Sequence, residues 1–389
     1  MSCIISLIRY SLPPYEEGGT KVSLELIKGL KELRYQTILL GFDYKSHLTN
    51  KPPKYQKNYH HVFSWIWREH ILNGSFSHIA IASMYEFFTS FTSINKALKA
   101  CKGEIIILIG NATKYISIPI SILAKLTIKK PIQVLLLYQR NTLYSTFTRI
   151  FKPLYIMVFS QEMSLVAKKV LGFSPYIFQL YPFVDTELYR PSLEKREEIL
   201  NRLGAEKLIL YLGRVNNIRF PLHVLKKVLK TVKTMNDVKI LLVLLPSQST
   251  YIWLHQALLL IHKLNVRNKV NIIVKYLSEK EKSEVYSASR IFIFPSEKNT
   301  AAIEPPLTVL EAVSSGLTVV SSGTNSTKEI TQMTNGYIFN ENKLESQLEE
   351  ILCHAPKINI EARQWALKNI SWYAFLRNVE DIFKNFDVN

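Results

Sequence analysis

Two arginines and two glutamates are the side chains whose types and spacing most clearly suggest chemistry. Arg214 and Arg219 stand five apart in GRVNNIRF, Gly213 to Phe220, directly after the apolar run LILYLGR. Guanidinium forks bind phosphate oxygens in pairs, and a glycine at a strand end lets such a ligand come close to the backbone. Glu304 and Glu311 bracket EPPLTVLE. Seven positions is about two helical turns, so both carboxylates could face one side. Pro305 and Pro306 stand where a helix would start, and the free N–H groups near Leu307 and Thr308 would favour an anion. Gly18–Gly19, in PPYEEGGTK, could form a second loop open to a phosphate or an acceptor. Asp185 is expected to cap a turn. The nine histidines show no metal-ligand spacing, and the one adjacent pair, His60–His61, is expected on a surface loop. No metal site, P-loop or nucleophile elbow is expected.

These residues need strands and helices to hold them. IFIFP (291–295) reads as a strand, Leu307 to Ser315 as a helix stopped by Gly316, and LTVVSSG as the next strand. Strands are expected at Met1–Arg9, Thr37–Gly41, His78–Ala82, Glu104–Ile109, Gln133–Tyr138 and Tyr155–Phe159. Helices alternate with them, the first from about Gly19 to Leu33 and another opened by Ser160. That alternation implies parallel sheets covered on both faces. YPFVDTELYRP (181–191) reads as a proline-bounded linker. A second α/β series follows it, with strands at 208–214, 239–246 and 270–276 and helices at Pro221–Lys233, Thr250–Leu264 and Ser278–Ser289. Helices are expected after Gly336. The expected domains are therefore 1–184 and 192–371, with a terminal helix at about 372–389 able to pack back on the first.

A chain of 389 residues has room for two or three domains, and 47% hydrophobic against 21% charged residues suits a large buried core. Three scattered cysteines suggest no disulfide framework and a reducing compartment. The N-terminus reads as a buried strand, and the longest apolar region, Tyr115–Ile128, is too short to span a bilayer. A soluble cytoplasmic protein, or one peripheral on the inner membrane face, is expected. The net charge is +18; residues 1–190 carry 23 Lys and Arg against 11 Asp and Glu, the remainder 26 against 20. That excess suits general solubility, or an anionic partner such as lipid headgroups or a phosphorylated substrate. Nucleic acid is not expected as a partner, because no basic segment is interleaved with aromatics.

YPFVDTELYRP, LILYLGRVNNIR, VYSASRIFIFPS, EPPLTVLEAVSSGLTVVSS and the Glu329 to Gly336 segment come in the order and spacing of retaining glycosyltransferase family 4, which the chain resembles. The likeness is tight over 181–336 and loose over 45–155. It implies a GT-B fold, two facing Rossmann-like domains with a cleft between them. It also implies no cofactor beyond the substrate, a nucleoside diphosphate sugar, and a glycan or lipid-linked acceptor held by the first domain. By the same resemblance Arg214 and Arg219 hold the donor diphosphate, Arg219 standing where the family has lysine, with Gly213 and the N–H groups of Leu307 and Thr308 beside them. Glu311 matches the glutamate that binds the ribose, and Glu304 is taken as the catalytic-site contact to the donor sugar.

Two features depart from the family. Six residues separate the glutamates here instead of seven, so Ile303 takes the first position in an ungapped alignment. The histidine that follows a strand of the first domain has no counterpart; VLLLYQRN offers Tyr138, Gln139 and Arg140. The residues thus support a metal-independent glycosyltransferase. They leave open a non-catalytic GT-B-like protein that binds a nucleotide sugar or a partner, and an enzyme that glycosylates nucleic acid.

Overall fold

The computed structural model describes residues 3–9, 18–43, 59–63, 94–101, 104–109, 132–137, 155–171, 176–297, 304–324 and 326–387. The expected strand at His78–Ala82, the apolar region Tyr115–Ile128, the Tyr138–Arg140 segment and Ile303 lie outside them. The chain divides into two compact units, Met1–Pro182 with Phe375–Asn389, and Phe183–Ala374.

The first unit is built on a seven-stranded parallel sheet. Its strands are β1 (Cys3–Arg9), β2 (Gln36–Asp43), β3 (Tyr59–Phe63), β4 (Ile105–Ile109), β5 (Ile132–Leu137), β6 (Tyr155–Val158) and β7 (Tyr176–Gln179), in the order β3-β2-β1-β4-β5-β6-β7. Helices α1 (Gly18–Glu32), α2 (residues 94–100) and α3 (Gln161–Leu171) alternate with them. Ser160 caps α3 by accepting from the Met163 N–H. The chain's last helix, Trp372–Asp387, enters this unit at Phe375. A Cβ on Gly29 of α1 would lie 3.2 Å from Leu376 and 3.4 Å from Phe375, so glycine is what allows that approach.

Three expectations about this unit change. His60 and His61 lie not on a loop but in β3, paired with Leu40 and Gly41 of β2. Polar residues can occupy an edge strand, and single-residue spacing does not reveal that. Gly18 belongs to α1 rather than to a loop, one residue ahead of the expected start at Gly19. The Ser23 hydroxyl donates back to the Gly19 carbonyl there. Cys3 and Cys101 are joined as a disulfide despite 98 residues of separation, because β1 and the end of α2 meet in space.

The second unit carries a six-stranded parallel sheet of order β10-β9-β8-β11-β12-β13. The strands are β8 (Lys207–Gly213), β9 (Val238–Leu244), β10 (Val270–Val274), β11 (Ile291–Phe294), β12 (Thr318–Ser321) and β13 (Tyr337–Ile338). The continuous apolar runs of β8 and β9 are buried because helices cover both sheet faces. The helices are α4 (Leu193–Leu203), α5 (Leu222–Thr234), α6 (Gln248–Leu264), α7 (Glu279–Ala288), α8 (Leu307–Ser314), α9 (Ser326–Met333), α10 (Leu344–His354) and α11 (Ile360–Asn369). The final helix, Trp372–Asp387, is α12. On α5, Val224, Leu225, Val228, Leu229 and Val232 form the buried stripe that helical spacing dictates.

YPFVDTELYRP is more than a linker. From Phe183 onward it packs into the second unit, with Tyr189 buried. Asp185 caps a turn there, accepting from the Glu187 and Leu188 N–H groups. After Gly336 the chain first adds the two-residue edge strand β13 beside β12, then turns helical.

Candidate functional site

In both sheets the first strand lies centrally, and the order reverses beside it: between β1 and β4, and between β8 and β11. A crevice opens at such a switch point, beyond the carboxyl ends of the strands, because the flanking connections leave to opposite faces. In the second unit the two segments with candidate chemistry leave from those two strands. Gly213 to Phe220 follows β8, and Pro295 to Glu311 follows β11.

The loop after β8 is shaped by local hydrogen bonds. Gly213 has φ +151°, and a Cβ there would meet little beyond the Tyr211 hydroxyl at 4.0 Å, so the glycine serves conformation and leaves open space beside the backbone. Asn216 Oδ1 accepts from the Ile218 and Arg219 N–H groups, which folds the loop into a turn ahead of α5. The buried Tyr211 hydroxyl donates to the Arg214 carbonyl at 2.7 Å. Arg214 is exposed and Arg219 half-buried. Burial lowers the Arg219 guanidinium from its ordinary pKa; Tyr211 opposes that, and the neighbouring positive charge of Arg214 adds to it.

Glu297, just past β11, lies beside that loop. The Glu297 N–H donates to the Ile218 carbonyl at 3.0 Å, and His223 at the start of α5 lies 3.5 Å from the Glu297 carboxylate. Glu304 is buried, 3% exposed, at the bend before Pro305 and Pro306. Helix α8 begins after Pro306, so only Glu311 of the two glutamates is helical, and the two do not share a helix face. Leu307 and Thr308, the first residues of α8, are half-buried. Gly316 ends the segment with φ +71°, where a Cβ would lie 2.9 Å from Ile358 and 3.1 Å from Pro191.

Glu311 is buried and held by partners from α7. It is 3% exposed, and one oxygen accepts from the buried Tyr286 hydroxyl at 3.1 Å while the other lies 3.5 Å from Lys282 Nζ. Lys282 also meets Glu279 at 2.6 Å, and Glu279 accepts from the Tyr189 hydroxyl at 2.7 Å. Burial, with the charges of Glu311 and Glu279 beside them, pushes both Tyr189 and Tyr286 well above the ordinary phenol range. Both hydroxyls therefore stay protonated and serve as donors. Tyr286 also approaches the Thr308 carbonyl at 3.1 Å, which ties α7 to the first turn of α8.

Sequence reading missed Lys282, Tyr286 and Tyr189. A signal existed in part: Glu279, Lys282 and Tyr286 follow helical spacing on α7. That they face Glu311 follows from the packing of α7 beside α8. Arg214 and Arg219 lie on one loop, directly after Gly213 at the end of β8; Leu307, Thr308 and Glu311 lie together on α8. Gly18 and Gly19 belong to the other unit. Among the described residues, no group of three His, Cys, Asp or Glu side chains is arranged to hold a metal ion.

Two units, each built on a Rossmann-like parallel sheet, make an α/β protein of the GT-B type. Residues 194–356 match the family model for glycosyl transferases group 1. The fold is shared over full lengths. Sucrose-phosphate synthase from Thermosynechococcus elongatus superposes with a TM-score of 0.76 at 13% identity, over 100% of both chains. Anabaena Alr3699/HepE, described in complex with UDP-glucose, gives 0.69 at 14% identity over 98% of this chain and 99% of its own. A glycosyltransferase from Rickettsia africae gives 0.72 at 16% identity, over 99% and 98%. Against the curated proteins, no sequence match was found.

Proposed function

We propose that the chain moves a sugar from a nucleoside diphosphate donor to a glycan or lipid-linked acceptor, with retention at the anomeric carbon and without a metal. The observation that carries this reading is the contact of the Gly213–Arg219 loop with Glu297, just past β11, at the carboxyl ends of β8 and β11. Arg214 and Arg219 supply two positive charges to a diphosphate. The N–H groups of Leu307 and Thr308 supply the positive end of a helix to the same ligand. As the glycosidic bond breaks, negative charge grows on the leaving diphosphate, and fixed cations stabilise it without a metal. The UDP-glucose complex of the Anabaena neighbour supports a nucleotide-sugar donor here.

In this reading Glu311 accepts from the ribose hydroxyls, its carboxylate held in place by Tyr286 and Lys282. Glu304, buried just ahead of α8, contacts the donor sugar. Retention follows the family pattern that the motifs resemble.

Nucleoside diphosphate release, measured across a panel of donors, tests the activity. Arg214→Ala, Arg219→Ala and Glu311→Ala should each weaken donor binding by about 10- to 100-fold, the worth of one charge-assisted hydrogen bond. Unchanged donor affinity in all three would remove the site assignment. Donor binding without turnover, for any acceptor class, would favour a non-catalytic binding protein. NMR of the product reports its anomeric configuration, and inversion would overturn the mechanism.

A further inference from the structure

Helix α6 has an outer face unlike that of a helix in water. Its inner face is accounted for: Trp253, Ala257 and Ile261 are buried at four-residue spacing, and the Trp253 indole donates to the Phe220 carbonyl. On the outer face, Tyr251, Ile252, Leu258 and Leu259 are 57%, 61%, 41% and 61% exposed. At 100° per residue these four, with His255 and His262, fall on one side of the helix. A solvent-facing stripe normally carries charge, as the lysines of α5 do. A stripe of large apolar residues marks a surface that something covers.

The charge around it says what. Residues 247–278 contain Lys263, Arg267, Lys269 and Lys275 and not one Asp or Glu. Lys269 donates to the Met235 and Asn236 carbonyls, and Lys275 pairs with Glu281 of α7. Lys263 and Arg267 are exposed at the C-terminal end of α6. A face with apolar residues along about 12 Å of helix and cations at one end complements an anionic lipid surface. A second copy fits less well, because a two-fold contact brings a surface against itself, and this one has no carboxylate to meet its cations.

We infer that the outer face of α6 docks the protein on an anionic lipid bilayer, with Tyr251, Ile252, Leu258 and Leu259 at the headgroup–acyl boundary and Lys263 and Arg267 on the lipid phosphates. The surface lies in the second unit, whereas the chain's greater charge excess lies in the first half. General attraction of a +18 chain is thereby separable from a built docking face.

Sedimentation of the full chain with vesicles of equal parts phosphatidylglycerol and phosphatidylcholine, and with phosphatidylcholine alone, tests this. The protein should partition onto the anionic vesicles and much less onto the neutral ones. Ile252→Glu with Leu259→Glu should lower that partition at least tenfold. Lys263→Gln with Arg267→Gln should lower it about 25-fold, roughly fivefold per cation. All four positions are exposed, so the variants' melting temperatures should match the parent's. No partition onto anionic vesicles, equal partition onto neutral ones, or equal partition by the variants would overturn the inference. So would a dimer, seen by light scattering, that Ile252→Glu with Leu259→Glu converts to monomer: the face would then belong to a second copy.

Discussion

Replacing Lys282 with Met tests the packing of α7 against α8 more sharply than any change at the arginines. The substitution keeps the apolar stem, removes the ammonium, and leaves Glu311 buried with the Tyr286 hydroxyl still donating to it. At 3.5 Å and an effective dielectric constant of about 20, the lost attraction is about 5 kcal/mol. Release of the lysine from its partly buried site, 17% exposed, returns some of that. Breaking a buried pair from one side costs about 3–5 kcal/mol, and the lower end applies here. The second partner, Glu279, is half exposed and contributes at most about 1 kcal/mol. For a domain of this size, about 3 kcal/mol lowers the melting temperature by roughly 6–12 °C. Urea unfolding followed through Trp253, which is buried in this unit, would measure it. The decisive comparison is a double-mutant cycle with Glu311→Leu. If Lys282 acts through Glu311, the double variant should be more stable than the summed single losses predict, by about 2 kcal/mol. Additivity within about 0.5 kcal/mol would refute the pairing and, with it, the account of how Glu311 is oriented.

Other perturbations follow from single residues. Glu281 closes the capping box of α7, and Lys275 with the Ser278 N–H and hydroxyl holds its carboxyl down at about 2. A depressed folded value means that the contribution is present above pH 4.5, the ordinary value, and is lost as pH falls toward 2. Thermal melting of Glu281→Gln should therefore lie below the parent's at neutral pH, and the gap should close in acid. Gly316→Ala should cost about 3 kcal/mol, from the left-handed φ and the approach to Ile358 and Pro191; an unchanged denaturation midpoint would contradict the geometry. Under oxidising conditions Cys101→Ser opens a loop of 98 residues, and the chain-entropy model gives a loss of about 4–5 kcal/mol from the first unit. Reductant should bring the parent down to the variant and leave the variant unmoved.

Much of this molecule was legible without coordinates. LILYLGR, KILLVLLP and IFIFP are short continuous apolar runs with β-branched and aromatic residues, as a strand with both sheet faces covered carries. The caps were equally local: Pro306 before α8, Gly316 after it and Ser160 before α3 act through neighbours within four or five positions. Asp185 capped a turn as expected, for the same reason. Gly213, Arg214 and Arg219 were readable as neighbours because they fall within seven consecutive positions.

Most of what failed depended on contacts between distant parts of the chain. His60 and His61 read as a loop because edge strands carry no burial pattern to reveal them. Cys3 and Cys101 looked unrelated because sequence separation says nothing about which strand start meets which helix end. Glu304 and Glu311 looked like a matched pair because helical spacing was extended past Pro306, where the helix had not begun. The sequence by itself determined the parallel sheets, the helix boundaries and the loop with two arginines, since each follows from interactions along a few residues. Only the tertiary structure decided that α7 lies against α8, so that Lys282 and Tyr286 hold Glu311 in a buried site. A carboxylate leaves water only where cations and donors from other elements replace its hydration, and those partners are chosen by packing.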